Sequence, residues 1–325
     1  MNLLSIKGGG VRGLISLKLL IEIENITGKA IYELFDYFGG SSVGSLIVSG
    51  LLISSDGFKA KYTAQQLYDL FINNINNSFT WTYYSYISSG FGLFGPSYTT
   101  SGLTHTIHSL CGDYMLGNLL KPFIFPAYDR IDQQAYYFDK DKNKNEFLLD
   151  VMLGCSAAPT YFKSHKMIIN DKNYDFADSA LVANNNSQLV LLKATQNENL
   201  LDRTKILLLS LGTGIFPHQN LSKRDGVLNW LPNIIDTILS ASEENESFSL
   251  SLYLPKDNYY IMDVPLDKVY HLDDTRQKTI DYYISQTDKW INDNKTAITL
   301  FCDKLMINKK LIKNILYNSC KNEYY

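Results

Sequence analysis

Residues 40 to 44 read Gly40-Ser41-Ser42-Val43-Gly44, a serine with one glycine two positions before it and another two positions after. The pattern suits a nucleophile: a serine presented on a sharp strand-to-helix turn needs small flanking residues so that strand and helix approach without Cβ clashes. Ser42 holds that position and Ser41 does not. A helix starting near Val43 would turn its free N–H groups and the positive end of its dipole toward Ser42, favouring an alkoxide-like oxygen. Five residues alone also match an ordinary small-residue turn. The pattern counts through its context, an apolar strand before it and an apolar helix after it.

A second cluster, Gly8-Gly9-Gly10-Val11-Arg12-Gly13, lies near the N-terminus. Consecutive glycines ahead of a helix can aim several backbone N–H groups at one anion, either a phosphate or the oxyanion of an acyl-transfer intermediate. Gly8-x-Gly10-x-x-Gly13 matches the dinucleotide fingerprint literally. However, no acidic residue ends a strand about 20 residues later, Glu33 preceding the second strand, and no Lys-Ser/Thr pair follows the loop as a triphosphate site would need.

A serine nucleophile needs a base. In the order serine, acid, histidine, only His218 and His271 come late enough, and neither stands in a recognisable catalytic context. His105, His108 and His165 come earlier and read as structural or exposed. A carboxylate is the other option: Asp178, in NYDFADSALVANN, follows an apolar strand where the chain turns into small residues and asparagines. At the usual aspartate pKa of about 3.9 it is a weak base, so direct action requires burial or close alignment to a polarised hydroxyl. A plain turn or helix cap is the competing role for Asp178.

These groups need elements to position them. Leu3 to Lys7 reads as a buried strand stopped by the glycines, and Leu14 to Ile26 as a helix with Leu17, Leu20 and Ile21 at helical spacing. Leu34 to Phe38 and Val43 to Ile53 repeat the sequence of strand, small-residue turn and helix. Too few residues lie between for a hairpin, so the two units predict parallel strands in an α/β sheet. Further on, the pattern predicts a strand at 134–140, a helix at 148–158, a hairpin over 167–178 turning at Asp171-Lys172, a helix at 187–196, a central apolar strand at 205–214 and a strand at 259–264. Residues 64–77 read as an amphipathic helix. The uncharged stretch 79–98, aromatic at nearly every second position and broken by Gly90, Gly92, Gly95 and Pro96, reads as an irregular loop. It is either a satellite core or an apolar surface that meets lipid or covers a pocket.

A chain of 325 residues with no repeat and no linker is expected to form one large domain. With 30 Lys+Arg against 33 Asp+Glu, no global field recruits nucleic acid. Four cysteines, Cys111, Cys155, Cys302 and Cys320, lie far apart without a CxxC pair, which suggests neither a zinc site nor a disulfide framework. No basic segment followed by a long apolar one opens the chain, and no run approaches about 18 apolar residues. The expectation is a protein in the cytoplasm or peripheral to a membrane.

Taken together, the ordered motifs resemble the patatin-like phospholipases. GGGVRG (8–13) is similar to that family's oxyanion motif, GSSVG (40–44) to its nucleophile elbow, and DSA (178–180) to the block that carries its aspartate. GLFGPSY (92–98), GCSAAPTYF (154–162), LVANN (181–185), LLSLGTG (208–214) and HLDDT (271–275) agree in order, so the likeness covers about residues 3 to 295. The resemblance implies a three-layer α/β/α fold with a mainly parallel central sheet, and a Ser-Asp dyad of Ser42 and Asp178 that needs no histidine. It implies backbone donors at Gly8, Gly9, Gly10 and Val43, with Arg12 holding the glycine loop, and an elbow flanked by Gly40 and Gly44. Neither metal nor cofactor is expected; the substrate would be a phospholipid or another fatty-acyl ester, met through peripheral membrane contact, with room for an unidentified activating ligand or partner.

Three residues depart from the family pattern. Lys7 stands where an aspartate is usual, Ser179 replaces a glycine and would be strained if that position required φ > 0, and Asn186 replaces a proline. These departures motivate an alternative, a catalytically weak lipid-binding or interaction protein; a Ser-His-Asp esterase using His218 or His271 is a further one. Residues 1–300 are expected to form the phospholipase domain. Residues 301–325 should add a helix whose stripe of Leu305, Leu311, Ile312, Ile315 and Leu316, flanked by Lys304, Lys309, Lys310 and Lys313, either packs on the domain or docks on anionic lipid.

Overall fold

A computed structural model describes residues 1–79, 96–196, 202–216, 234–268 and 270–322. Its centre is a sheet of eight strands: β1 (Asn2–Ile6), β2 (Tyr37–Gly40), β3 (Phe123–Asp129), β4 (Gln134–Asp139), β5 (His165–Ile169), β6 (Lys172–Ala177), β7 (Leu207–Leu211) and β8 (Tyr259–Met262). They lie in the order β5-β6-β3-β2-β1-β7-β8, with β4 also paired to β3. From β3 through β2, β1 and β7 to β8 every pairing is parallel, while β4, β5 and β6 join antiparallel.

Among the described residues the α-helices are α1 (Gly13–Thr27), α2 (Ile31–Leu34), α3 (Val43–Leu52), α4 (Ala64–Ser78), α5 (Thr100–Cys111), α6 (Leu148–Cys155), α7 (Ala180–Ala183), α8 (Ser187–Ala194), α9 (Ile234–Tyr253), α10 (Gln277–Asp293) and α11 (Lys295–Asn322). Because side chains alternate across a strand, successive β1 residues face different layers. Leu4 and Ile6 join the large core formed with α1, α3, α10 and α11. Leu3, with Ile124 and Leu208, joins a second core with Val190 and Leu191 of α8 and Leu250 of α9. Helices thus cover both faces of the sheet, as buried parallel strands such as Leu207–Leu211 require.

Several expectations shift in detail. The segment from Leu34 is not a strand throughout: Ile31–Leu34 forms a helical turn, started by the Glu33 carboxylate accepting from Ala30 N at 3.1 Å, and the strand begins at Tyr37. The hairpin turns one residue earlier than expected, at Asn170 and Asp171, whose φ of 49° and 62° fit a two-residue turn that these short polar side chains tolerate. α11 runs through the expected boundary at residue 300, with Ile298, Phe301, Cys302 and Leu305 buried in the large core. On its surface Lys309 pairs with Asp36, and Lys304 bonds the carbonyl of Asp257, while Leu311 is exposed. The side chains of Ile312, Lys313, Ile315 and Leu316, most of the aromatic loop 79–98, and His218 lie outside the described residues.

One irregularity in the sheet matters for function. β4 covers one edge of β3 over Ile124–Asp129. On the other edge β2 pairs only at Phe123 and Ile124, and β6 only at Tyr128 and Asp129. β2 runs parallel to β3 and β6 antiparallel, so their C-terminal ends face each other along one edge of β3. Pro126 lies in the gap between them. Its carbonyl points into that gap, where Ser179 Oγ donates to it at 2.6 Å, and the N–H that proline lacks would have pointed there too.

Candidate active site

The head-on arrangement brings together the second residue after Gly40, Ser42, and the residue after Ala177, Asp178. Ser42 Oγ donates to Asp178 Oδ2 at 2.7 Å, across 136 residues of sequence. Ser42 has φ 50° and ψ −121°, a strained turn conformation, while Ser41 is fully buried behind it. Both flanking glycines answer to crowding. A Cβ on Gly44 would sit 2.2 Å from the Ile6 carbonyl oxygen, and one on Gly40 would sit 2.4 Å from the Gly44 carbonyl.

Asp178 is 3 % exposed. Burial pushes its pKa from 3.8 up to about 6, against the stabilising bonds from Ala180 N and Ser42 Oγ. Its backbone is fixed from the end of α6 and the turn after it: Asp178 N donates to Ala157 O at 3.1 Å and Ser179 N to Cys155 O at 3.0 Å. Ser179 has φ −54° and ψ −33°, an ordinary helical conformation. The strain anticipated at Ser179 is therefore absent, because the chain enters α7 directly and the hydroxyl bonds Pro126 O and Cys155 O instead.

The glycine loop follows β1 and lies over the elbow, so close that a Cβ on Gly8 would lie 3.2 Å from Ser42 Cβ. A trans peptide is planar with its N–H opposite its C=O, so whatever holds a carbonyl aims the next residue's N–H. Thr213 Oγ1 donates to Gly8 O at 2.7 Å and so orients the N–H of Gly9. Arg12 donates to Gly9 O through its backbone N at 3.1 Å and Nε at 3.3 Å, orienting the N–H of Gly10. Gly10 itself has φ 56°, the left-handed region, and a Cβ there would strike Leu272 O at 2.3 Å. Among the described residues, the N–H groups of Gly9, Gly10 and Val43 donate to no backbone or side-chain acceptor. Gly8 N is engaged with Asn184 O at 3.4 Å. Arg12 acts as a brace on the loop, its guanidinium also resting 4.7 Å from the centre of the Phe216 ring.

The other two departures also find partners. Lys7 is buried and paired with Glu243 at 2.9 Å and Asp263 at 3.2 Å. Burial acts to lower its pKa, but the two carboxylates outweigh that and leave it raised, a charged ammonium. Asn186 accepts from Ser5 Oγ at 2.6 Å and donates to the elbow carbonyl of Gly40 at 3.1 Å. Thr213, Asn184 and Glu243 escaped the sequence reading. The motifs LSLGTG and LVANN marked the segments of the first two, but nothing local marks Glu243 on α9.

Among the described residues no histidine bonds Ser42 or Asp178. His271 is exposed, and His165 bonds Asp150 of α6 at 2.9 Å. No metal-binding cluster occurs among the described residues, and no described helix is long and apolar enough to cross a membrane.

A family model described as patatin-like phospholipase matches residues 4–191. Patatin-like protein 2 of Arabidopsis thaliana is 27 % identical over 290 residues, covering 77 % of this chain and 71 % of that protein. The cGAMP-activated phospholipase of Escherichia coli strain TW11681 is 30 % identical over 207 residues, covering 59 % of this chain and 55 % of its own length. Its counterpart from Vibrio cholerae is 32 % identical over 209 residues, covering 58 % and 56 %. Among solved structures, VipD from Legionella pneumophila aligns at 13 % identity with a TM-score of 0.39, covering 89 % of this chain and 67 % of VipD.

Proposed function

The chain belongs to the patatin-like phospholipase family, and we propose that within it the chain hydrolyses fatty-acyl esters of phospholipids with Ser42 as nucleophile and Asp178 as its base. The observation that carries this reading is the 2.7 Å hydrogen bond from the elbow serine to a buried carboxylate. Ser42 Oγ attacks the acyl carbonyl as its proton passes to Asp178. The negative charge on the carbonyl oxygen is met by the N–H groups of Gly9, Gly10 and Val43, which have no acceptor among the described residues, so little reorganisation accompanies the reaction. Asp178 then returns the proton to the leaving alcohol, and water, deprotonated by the same carboxylate, releases the acid from Ser42.

A carboxylate raised to about 6 is ionised at neutral pH and a better base than a solvated aspartate, which favours a dyad over a triad here. The fatty-acyl substrate, approach to a membrane surface and activation by a ligand belong to the same proposal; two relatives are named for activation by cGAMP. The test is hydrolysis of phospholipid vesicles and of a soluble p-nitrophenyl ester, with and without cGAMP. Wild type turns over, and Ser42→Ala, with the same circular dichroism spectrum, does not. Turnover retained in Ser42→Ala overturns the reading.

A further inference from the structure

Lys7 is the last residue before the glycines, and its side chain is only 10 % exposed. Its ammonium closes two circuits. In one, Lys7 Nζ donates to Glu243 Oε2 at 2.9 Å, Asn184 Nδ2 donates to the other oxygen of Glu243, and Gly8 N donates to Asn184 O at 3.4 Å. In the other, Lys7 Nζ donates to Asp263 Oδ2 at 3.2 Å, Gly214 N donates to Asp263 Oδ1 at 2.7 Å, and the adjacent Thr213 donates to Gly8 O. The Lys7–Gly8 peptide belongs to both, so Gly8 is held at its N–H by one circuit and at its carbonyl by the other.

The two carboxylates are not equivalent. Asp263 has a side chain 3 % exposed and is wedged under Gly212, where a Cβ would meet its carboxyl carbon at 1.8 Å. It neutralises Lys7 and is fixed to the end of β7. Glu243 is 23 % exposed, on α9, and one charge on Lys7 does not require a second carboxylate. What Glu243 adds is the link to Asn184, the residue that caps the end of α7, the helix begun by Asp178 and Ser179. The Asn184 carboxamide oxygen also lies so near Gly8 that a Cβ there would approach it to 2.5 Å.

We propose that Glu243 is a positioning residue for the oxyanion loop, holding Gly8, and with it the Gly9 and Gly10 donors, in register with Ser42 and Asp178 through Lys7 and Asn184. The inference rests on the dyad reading above. Loss of Glu243 would let the loop and the α7 segment drift relative to each other. The donor N–H groups act on charge that develops only in the transition state, so the loss falls on kcat and not on KM.

The experiment compares wild type, Ser42→Ala, Glu243→Gln and Asn184→Ala on a soluble short-chain p-nitrophenyl ester, with melting temperature measured for each. Glu243→Gln leaves Lys7 paired with Asp263 but removes one of the two acceptor oxygens. Asn184→Ala breaks the same link without touching the ion pair. Expected is a fall in kcat on the order of tenfold to a hundredfold in both variants. KM should stay within about twofold, and a Glu243→Gln/Asn184→Ala double variant, measured alongside, should be no less active than the less active single variant, as for two breaks in one chain. Unchanged kcat in both variants, a loss confined to KM, or a loss matching the loss of folded protein in both overturns the proposal. Turnover by Ser42→Ala instead overturns the dyad reading, so the two failures are told apart.

Discussion

Replacing Asp178 by asparagine should abolish turnover and, above neutral pH, make the protein more stable. The folded-state pKa of about 6 against an ordinary 3.8 is a shift of about two units. At 1.36 kcal/mol per unit, that is a cost of about 3 kcal/mol to the folded state once the carboxylate is ionised in both states. Because the folded pKa is the higher one, the full stability of the fold is present below about pH 4. It is lost as pH rises toward 6, since the unfolded chain releases this proton first. Asparagine cannot ionise and escapes the cost. It gives some back, having one acceptor oxygen where Ala180 N and Ser42 Oγ now use two, at about 1 kcal/mol for a weakened bond. The balance is a gain of about 1–2 kcal/mol for Asp178→Asn at pH 8 that shrinks to nothing or reverses near pH 4.5. Urea unfolding of both proteins at the two pH values measures the difference, in which other titrating groups cancel. A variant less stable than wild type at pH 8, or a difference independent of pH, would refute the account of Asp178 as a base stored at the fold's expense. Wild-type activity should rise with pH through about 6, the limb on which this base ionises.

Ser179→Gly, the substitution toward the family residue, should destabilise by about 1–2 kcal/mol in urea, because Pro126 O and Cys155 O lose a donor and helical φ at that position gains nothing from glycine. A more stable or more active Ser179→Gly would mean that the serine is strained after all. Gly44→Ala should cost about 1–3 kcal/mol and most of the activity, since its Cβ meets backbone atoms of Ile6 and Lys7 that cannot rotate away. A thermal melt and ester turnover check both halves.

What the sequence made legible follows how local each constraint is. The elbow and the glycine loop are steric solutions within a few residues, so Gly40, Gly44 and Gly10 announce them in the order in which they act. The meeting of Ser42 with Asp178 is different in kind: it depends on β2 and β6 stopping head to head along β3, and β3 is the strand the sequence hides best, with Pro126 in its middle. Only the pairing reveals why that proline is tolerated, and the same gap explains why a serine suits position 179. The departures teach a similar lesson. Lys7 in isolation looks like a lost carboxylate, yet two carboxylates supplied by α9 and by the residue after β8 surround it, each more than 200 positions away along the chain. A motif read residue by residue therefore marks where the chemistry sits, whereas the tolerance of a substitution within it is decided by side chains that no local spacing can announce.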